Sequence, residues 1–343
     1  MYTLDTLLPV EAAPKRLSAC GQQRTTAVGI AVGNHAIKLS TDLSRYVIRS
    51  QSLTYHPDLL TGSDSLLLGE ALSTPVFEGQ LTVGDGLDTY SGVQTLAHGL
   101  KGDLYARYAL LAIAEAVADG STLHLAVSLP TSEMQPLIEP LIGGHTVQIN
   151  GQRKSFQVNA IRFKPEGLGA ATRLRELKMQ RSTQPVPSFA VLDIGGGNCS
   201  IVGLDAHGGV AGFVQTTPGV LALYSDIATV IANQQGGIAP TEDAVRLGVE
   251  LGTFRLSGYG ETDFRAIYDV ALPQWLSSRL SEIRAKAGAI LDRAAVKVVC
   301  GGGANLPSLM AALPDGYTKA SNPQQLESDG LLEFARRIEE TED

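Results

Sequence analysis

Apolar residues recur along the chain in short dense blocks, and several of these blocks stop at glycine. Residues 27–33 read AVGIAVG, then Asn34 and His35 interrupt, and residues 36–40 read AIKLS, a pattern that predicts strand, turn and strand. A third strand is expected over 46–55 (YVIRSQSLTY), where β-branched and aromatic residues end before Pro57. Residues 84–118 give a polar, glycine-containing stretch and then a helix that is clearest from about Asp103. The block LHLAVSLP (123–130) has the apolar density of a buried parallel strand. Ser132 and Gln135 stand at capping-box spacing, which predicts a helix from near Thr131. Further strands are expected at 146–150 and 154–162, and a helix at 166–180.

The second half repeats this outline. FAVLDIGGGNCSIVGLD (189–205) again reads strand, glycine turn, strand, and GGVAGFVQTTP (208–218) supplies a third strand. Placing Gly33 over Gly195 sets Ala31 over Asp193, which points to an internal duplication. A helix follows at 221–233, then one at 241–251 with Thr241 as its N-cap. Residues 253–264 read as a hairpin and 264–295 as a helix broken near Pro273. The chain then gives the apolar strand VKVVC, three glycines (Gly301, Gly302, Gly303), a short helix at 305–313 and a terminal helix at about 330–339. STQPVP (182–187) carries two prolines without an apolar pattern and is the expected hinge between the halves. Residues 1–24 show no sustained periodicity and read as an arm outside the core.

With 343 residues and 44% hydrophobic content, the chain can fill two domain cores. No apolar run reaches the 18 or more residues of a membrane span, and the amino-terminal segment lacks the pattern of a secretory signal, so a cytoplasmic protein is expected. Three cysteines (Cys20, Cys199 and Cys300), with no CxxC or Cys/His cluster, argue against disulfides and structural zinc. A formal net charge of −8 argues against direct nucleic-acid binding, and the basic run at 173–181 reads as a solvated helix face.

Three glycine turns, each placed after an apolar strand, carry the candidate chemistry. Asp193 ends one strand and Gly195, Gly196, Gly197 and Asn198 follow. Glycine amides can wrap phosphates, while a carboxylate holds Mg²⁺, usually through water. The first hairpin offers Gly33, Asn34 and, on the returning strand, Lys38. A tight hairpin and a surface lysine are the plain alternatives. Gly301 to Gly303 permit close approach of a flat ligand or ribose.

The ordered set GIAVGNHAIKL, LHLAVSLP, PEGLGAA, VLDIGGGNCS and VVCGGGANLPSL resembles the phosphate-1, connecting, phosphate-2 and adenosine motifs of the actin-like ATPase superfamily. Within it, VGN and KL in the first hairpin, LLLGEAL (66–72), PEG and the closing NPQQLESDGLLEFAR are similar to the ParM-type plasmid-segregation actins. The resemblance covers about residues 26–340. It implies an α/β actin-like ATPase fold, two duplicated RNase H-like domains around a nucleotide cleft. The implied layout is an N-terminal extension (1–25), domain I at 26–185 with a C-terminal helix of about 320–343 returning to it, and domain II at 186–319.

The resemblance also implies roles. Asp193 would hold the Mg²⁺ shell, Gly33, Asn34, Gly195, Gly196, Gly197 and Asn198 would wrap the phosphates, and Lys38 would neutralise them. Gly301, Gly302 and Gly303 would face the adenosine, with base contacts from Glu242 or Arg246. Glu166 would position or deprotonate the attacking water; a helix-start glutamate is its plain alternative. The implied ligands are Mg²⁺ and ATP, with GTP possible. The implied partners are further copies of the chain in a filament and a ParR-like centromere-binding adaptor, without direct nucleic-acid or membrane contact.

Ala31 stands where the resemblance calls for the phosphate-1 aspartate. Losing such a charge-organising group typically costs on the order of 10²- to 10³-fold in rate. Binding would survive while hydrolysis slows. Ala31 is either a natural departure or an Asp→Ala substitution that holds the triphosphate state, and the otherwise intact set favours the second. On either reading, Ala31→Asp should raise turnover at least about tenfold. Two other functions fit the same motifs: a small-molecule kinase of this fold, and a filament scaffold that does not hydrolyse nucleotide.

Overall fold

A computed structural model describes residues 25–54, 66–84, 87, 93–95, 101–181, 185–216, 218–256 and 262–338. The arm at 1–24 and the first part of the expected hinge, 182–184, lie outside them. The chain divides into two compact units: one runs to Arg173 and resumes at Gln325, and the other takes Leu174–Gln324.

The first unit opens with β1 (Thr26–Val32), β2 (Ala36–Ser40) and β3 (Arg45–Arg49), each antiparallel to the next. Helix α1 (Lys101–Ala116) leads to β8 (Ser121–Leu129), which pairs parallel with β1 and with β10 (Gln152–Pro165). The expected third strand divides at Ser50, and β4 (Gln51–Thr54) joins the far side of the sheet. There β5 (Leu66–Ser73), β6 (Gln80–Gly84), β7 (Gln94–Thr95) and β9 (Gly143–Ile149) complete the order β3-β2-β1-β8-β10-β9-β5-β6-β4-β7. The second unit runs β13-β12-β11-β14-β15, from β11 (Phe189–Ile194), β12 (Cys199–Leu204), β13 (Val210–Thr216), β14 (Val296–Cys300) and β15 (Tyr317–Lys319). Its strand senses repeat those of β3-β2-β1-β8-β10: two antiparallel pairings and then two parallel ones.

The repeat extends to register. Ala31 lies opposite Lys38 and Ser128, and Asp193 lies opposite Ser200 and Cys300. The alignment of Gly33 with Gly195 read from the sequence is therefore the alignment of the two ladders.

The period of two along β1 decides what covers each of its faces. Val28, Ile30 and Val32 pack with Ile37 and Leu39 against α1, whose Tyr105, Tyr108, Leu110 and Leu111 are fully buried. On the opposite face Ala27 and Ala31, with Ala126 of β8, pack under Leu331, Leu332 and Ala335 of α7 (Leu326–Arg336). Gly29 lets that helix come close, because a Cβ there would collide with Ser328 O and Leu332 N.

In the second unit α3 (Val220–Gln235) and α5 (Arg265–Arg293) bury their apolar stripes with Leu192, Ile194 and Ile201. Helix α4 (Glu242–Glu250) starts at Thr241, whose side chain accepts from Ala244 N at 3.2 Å.

Several local expectations give way. The helix expected from Thr131 is two 3₁₀ turns, Ser132–Leu137 and Glu139–Leu141, because Pro136 and Pro140 each lack an amide donor. Helix α5 runs through Pro273, held by the buried Tyr268, Leu272, Trp275 and Leu276, and its non-helical residue is Ala287. The helix expected at 305–313 is a 3₁₀ turn at Gly302–Asn305 followed by α6 (Leu309–Ala312). Of the hairpin expected at 253–264, the bridge Arg255↔Asp263 is formed, and 257–261 lie outside the described residues. Among the described residues no helix is long and apolar enough to cross a membrane.

Candidate functional site

The turn after β11 is shaped by the start of α3. Gly195 N donates to Asn198 O at 2.8 Å, closing the turn. The carbonyls of Gly195, Gly196 and Gly197 then accept from Val220 N, Leu221 N and Gly219 N at 2.9–3.0 Å. These are the amides that a helix start leaves without intrahelical partners, so the turn satisfies the amino end of α3. In a trans peptide N–H and C=O point opposite ways. With the carbonyls turned to α3, the trans geometry turns the N–H groups of Gly196, Gly197 and Asn198 the other way, and successive amides so presented suit an anion. Gly219 is required at the contact, since a Cβ there would meet Gly196 O at 2.5 Å and Asn198 N at 2.6 Å.

Asp193 stands one residue before the end of the same strand, half-buried. Its carboxylate lies over Gly301, which has φ +84° and whose missing Cβ would otherwise run into Asp193 Oδ1 and lie 2.5 Å from Ile194 O. Gly301 thus makes the cradle for the carboxylate. Gly301 N donates to Pro323 O at 2.9 Å, Gly302 is half-exposed beside Gln324, and Gly303 packs on Ile194 and Val220. Cys199 and Cys300 are buried thiols; burial, reinforced by the Asp193 charge, pushes Cys199 up to about 12.

The turn after β1 has the same closure, Gly33 N to Ala36 O at 3.0 Å. Ser50 takes the part that α3 plays in the other unit: its hydroxyl donates to Gly33 O at 2.6 Å and its amide to His35 O at 2.9 Å. The N–H groups of Asn34 and Ala36, trans to these two carbonyls, are thereby turned away from Ser50. Asn34 Oδ1 is buried without a hydrogen-bond partner in this turn. Lys38 and Ala31 share one face of the β1–β2 ladder, because directly paired residues project to the same side.

Tyr105 joins the ends of β1 and β8. Its hydroxyl accepts from Val32 N at 3.4 Å and donates to Ser128 O at 2.8 Å. Burial raises its pKa well above the ordinary phenol value, and the charges of Glu166 and Glu327 add to the shift. Glu166 is anchored through its amide to Leu129 O at 3.1 Å, and Gly167, at φ +87°, turns the chain into α2 (Leu168–Arg181). Sequence reasoning missed Tyr105 and Glu327. Each stands inside a helical apolar pattern, with no local signal that its polar atoms reach the end of a strand far away in the chain.

The base-contact candidates lie apart from these turns in character. Glu242 is exposed at the start of α4. Arg246 is buried and ion-paired with Asp243 at 3.1 Å and with Glu250, an arrangement that holds α4 together.

Five strands of each sheet share one topology, with a glycine turn at the end of the first strand, and the likeness to solved structures shows an actin-like fold of the ParM type. No protein-family model matches the chain, and no curated protein matches it by sequence. Solved structures do. An archaeal actin homolog, Ta0583, superposes with a TM-score of 0.74 at 17% identity, covering 91% of this chain and 100% of its own. A ParM from Clostridium botulinum, solved as a 15-stranded filament, gives 0.73 at 16% identity over 91% of this chain and 99% of its own. Bacillus thuringiensis ParM, solved with ATP, gives 0.63 at 15% identity over 92% and 100%.

Proposed function

We propose that this protein is an actin-like nucleoside triphosphatase that assembles head to tail into filaments with Mg-ATP, or with GTP, and moves DNA such as a plasmid through a ParR-like adaptor. The observation that carries this reading is the doubled turn: the amide array at Gly196–Asn198, its counterpart at Asn34 and Ala36, and the Asp193 carboxylate seated over Gly301. Such arrays fit polyphosphate. A strand-end carboxylate in a glycine cradle fits a hydrated Mg²⁺, which when bound would neutralise the β and γ phosphates.

In this reading Gly33, Asn34, Gly195, Gly196, Gly197 and Asn198 orient the phosphates, and Lys38 offsets their charge. Gly301, Gly302 and Gly303 leave room for the adenosine. Glu166 accepts a proton from the attacking water or orients it. Head-to-tail contact is heterologous and propagates as a filament, and the Clostridium botulinum ParM was solved as a filament. The net charge of −8 suits a chain that reaches DNA through a basic adaptor.

Sedimentation with and without Mg-ATP, followed by electron microscopy of the pellet, tests the proposal. The expected result is pelleted filaments only with nucleotide. A chain that stays in the supernatant under both conditions and phosphorylates a small hydroxyl compound would establish the kinase reading. Pelleting regardless of nucleotide would establish a scaffold.

A further inference from the structure

Register makes Ala31 the counterpart of Asp193, so the first unit lacks a carboxylate on its first strand. A carboxylate arrives there from elsewhere. Ala31 packs in one cluster with Leu331, Leu332 and Ala335 of α7, and Glu327 stands one helical turn before Leu331, on the same face of that helix. Glu327 is 5% exposed, which is rare for a glutamate. Its Oε2 accepts from Ala170 N at 2.7 Å, in the first turn of α2, the helix that Glu166 precedes.

Gly169 makes this possible. A Cβ there would come within 3.1 Å of the Glu327 carboxyl carbon and would strike the Glu327 carbonyl. One glycine therefore clears space for a carboxylate in each unit: Gly301 for Asp193 and Gly169 for Glu327. Glu327 and Glu166 both act electrostatically on the Tyr105 hydroxyl, which spans the ends of β1 and β8. The bond to Ala170 N places the buried Glu327 carboxylate at the start of α2, just beyond the end of β10, on the helix that covers Ala31.

We infer that Glu327 carries the carboxylate that β1 lacks: the charge has moved from strand to helix, and Glu327 acts as a positioning residue for the attacking water through Glu166 and the start of α2. This rests on the nucleotide reading proposed above. It also favours Ala31 as a natural departure, balanced within its own packing cluster. The expectation for Ala31→Asp changes accordingly, because an aspartate added beside Glu327 brings two like charges together.

Four chains test the inference: the protein as it is, Glu327→Gln, Ala31→Asp and the double variant. Glutamine keeps an oxygen that can accept from Ala170 N, so Glu327→Gln should fold with a Tm near that of the parent. Ala31→Asp should lower Tm by roughly 2 to 4 °C when Glu327 is present and by much less in the Glu327→Gln background. That non-additivity needs no nucleotide. In Mg-ATP turnover, Glu327→Gln should lower kcat about tenfold or more while affinity for a fluorescent ATP analogue changes little. Ala31→Asp should then restore kcat when combined with Glu327→Gln and add little when Glu327 is kept. Additive Tm effects overturn the inference, as does an equal gain from Ala31→Asp in both backgrounds. Failure of all four chains to bind the analogue, with the Tm coupling intact, would instead overturn the nucleotide reading and leave Glu327 a structural partner of position 31.

Discussion

The turns after β1 and β11 close with the same bond, glycine N–H to the carbonyl three residues on, and pair with their neighbours in the same register. They differ in what holds them from behind. In the second unit three carbonyls cap the amino end of α3; in the first, a single serine from the end of β3 takes two. They differ also in where charge is kept. Asp193 carries it on the strand, whereas the first unit has Ala31 on the strand and Glu327 on a helix that joins it from the end of the chain. One backbone can thus present similar amides to a ligand while the source of the balancing carboxylate changes.

The glycine cradles should be the positions most sensitive to substitution. Gly301→Ala combines a left-handed φ with a collision against Asp193 and Ile194, and should cost about 3 kcal/mol or more in urea unfolding. Gly169→Ala has the collision without the φ strain and should cost about 2 kcal/mol. A neutral Gly169→Ala would mean that the two cradles are not equivalent.

Asp193→Asn acts on the reaction rather than on stability. It keeps the shape and removes the charge, and should lower ATP turnover about 10²- to 10³-fold with a smaller change in nucleotide affinity. A turnover unchanged by Asp193→Asn would remove the second turn from the reaction.

The smallest effect sharpens the first turn alone. Tyr105→Phe leaves the buried Val32 N–H and Ser128 carbonyl without the hydroxyl, and should cost about 1 to 2 kcal/mol in unfolding. A stability loss without any change in kcat would separate the support of this strand end from its chemistry.

Much of the strand framework was legible. β1, β2, β8, β11, β12 and β14 lie where dense or alternating apolar runs stand, with glycine directly after β1, β11 and β14, since side-chain period and turn chemistry are short-range properties. β6 and β7 gave too little pattern to be read. The single strand expected at 46–55 proved to be two, because Ser50 bonds the first turn and sends the chain to the other side of the sheet. Pro273 was misleading for the opposite reason: packing of a long apolar stripe outweighs one missing amide. At the candidate site, the glycines and Asp193 announced themselves by spacing, while Tyr105, Ser50 and Glu327 did not.

By itself, then, the sequence determined the repeated strand-turn-strand units, the register between them and the odd residue at position 31, all of which depend on neighbours a few positions apart. Only the tertiary structure decided that a helix from the end of the chain lies on Ala27, Gly29 and Ala31 and brings a buried carboxylate with it. Ala31 and Glu327 are far apart along the chain. Nothing in the local pattern of either encodes the close approach, which exists because small residues on a strand let a helix settle against it.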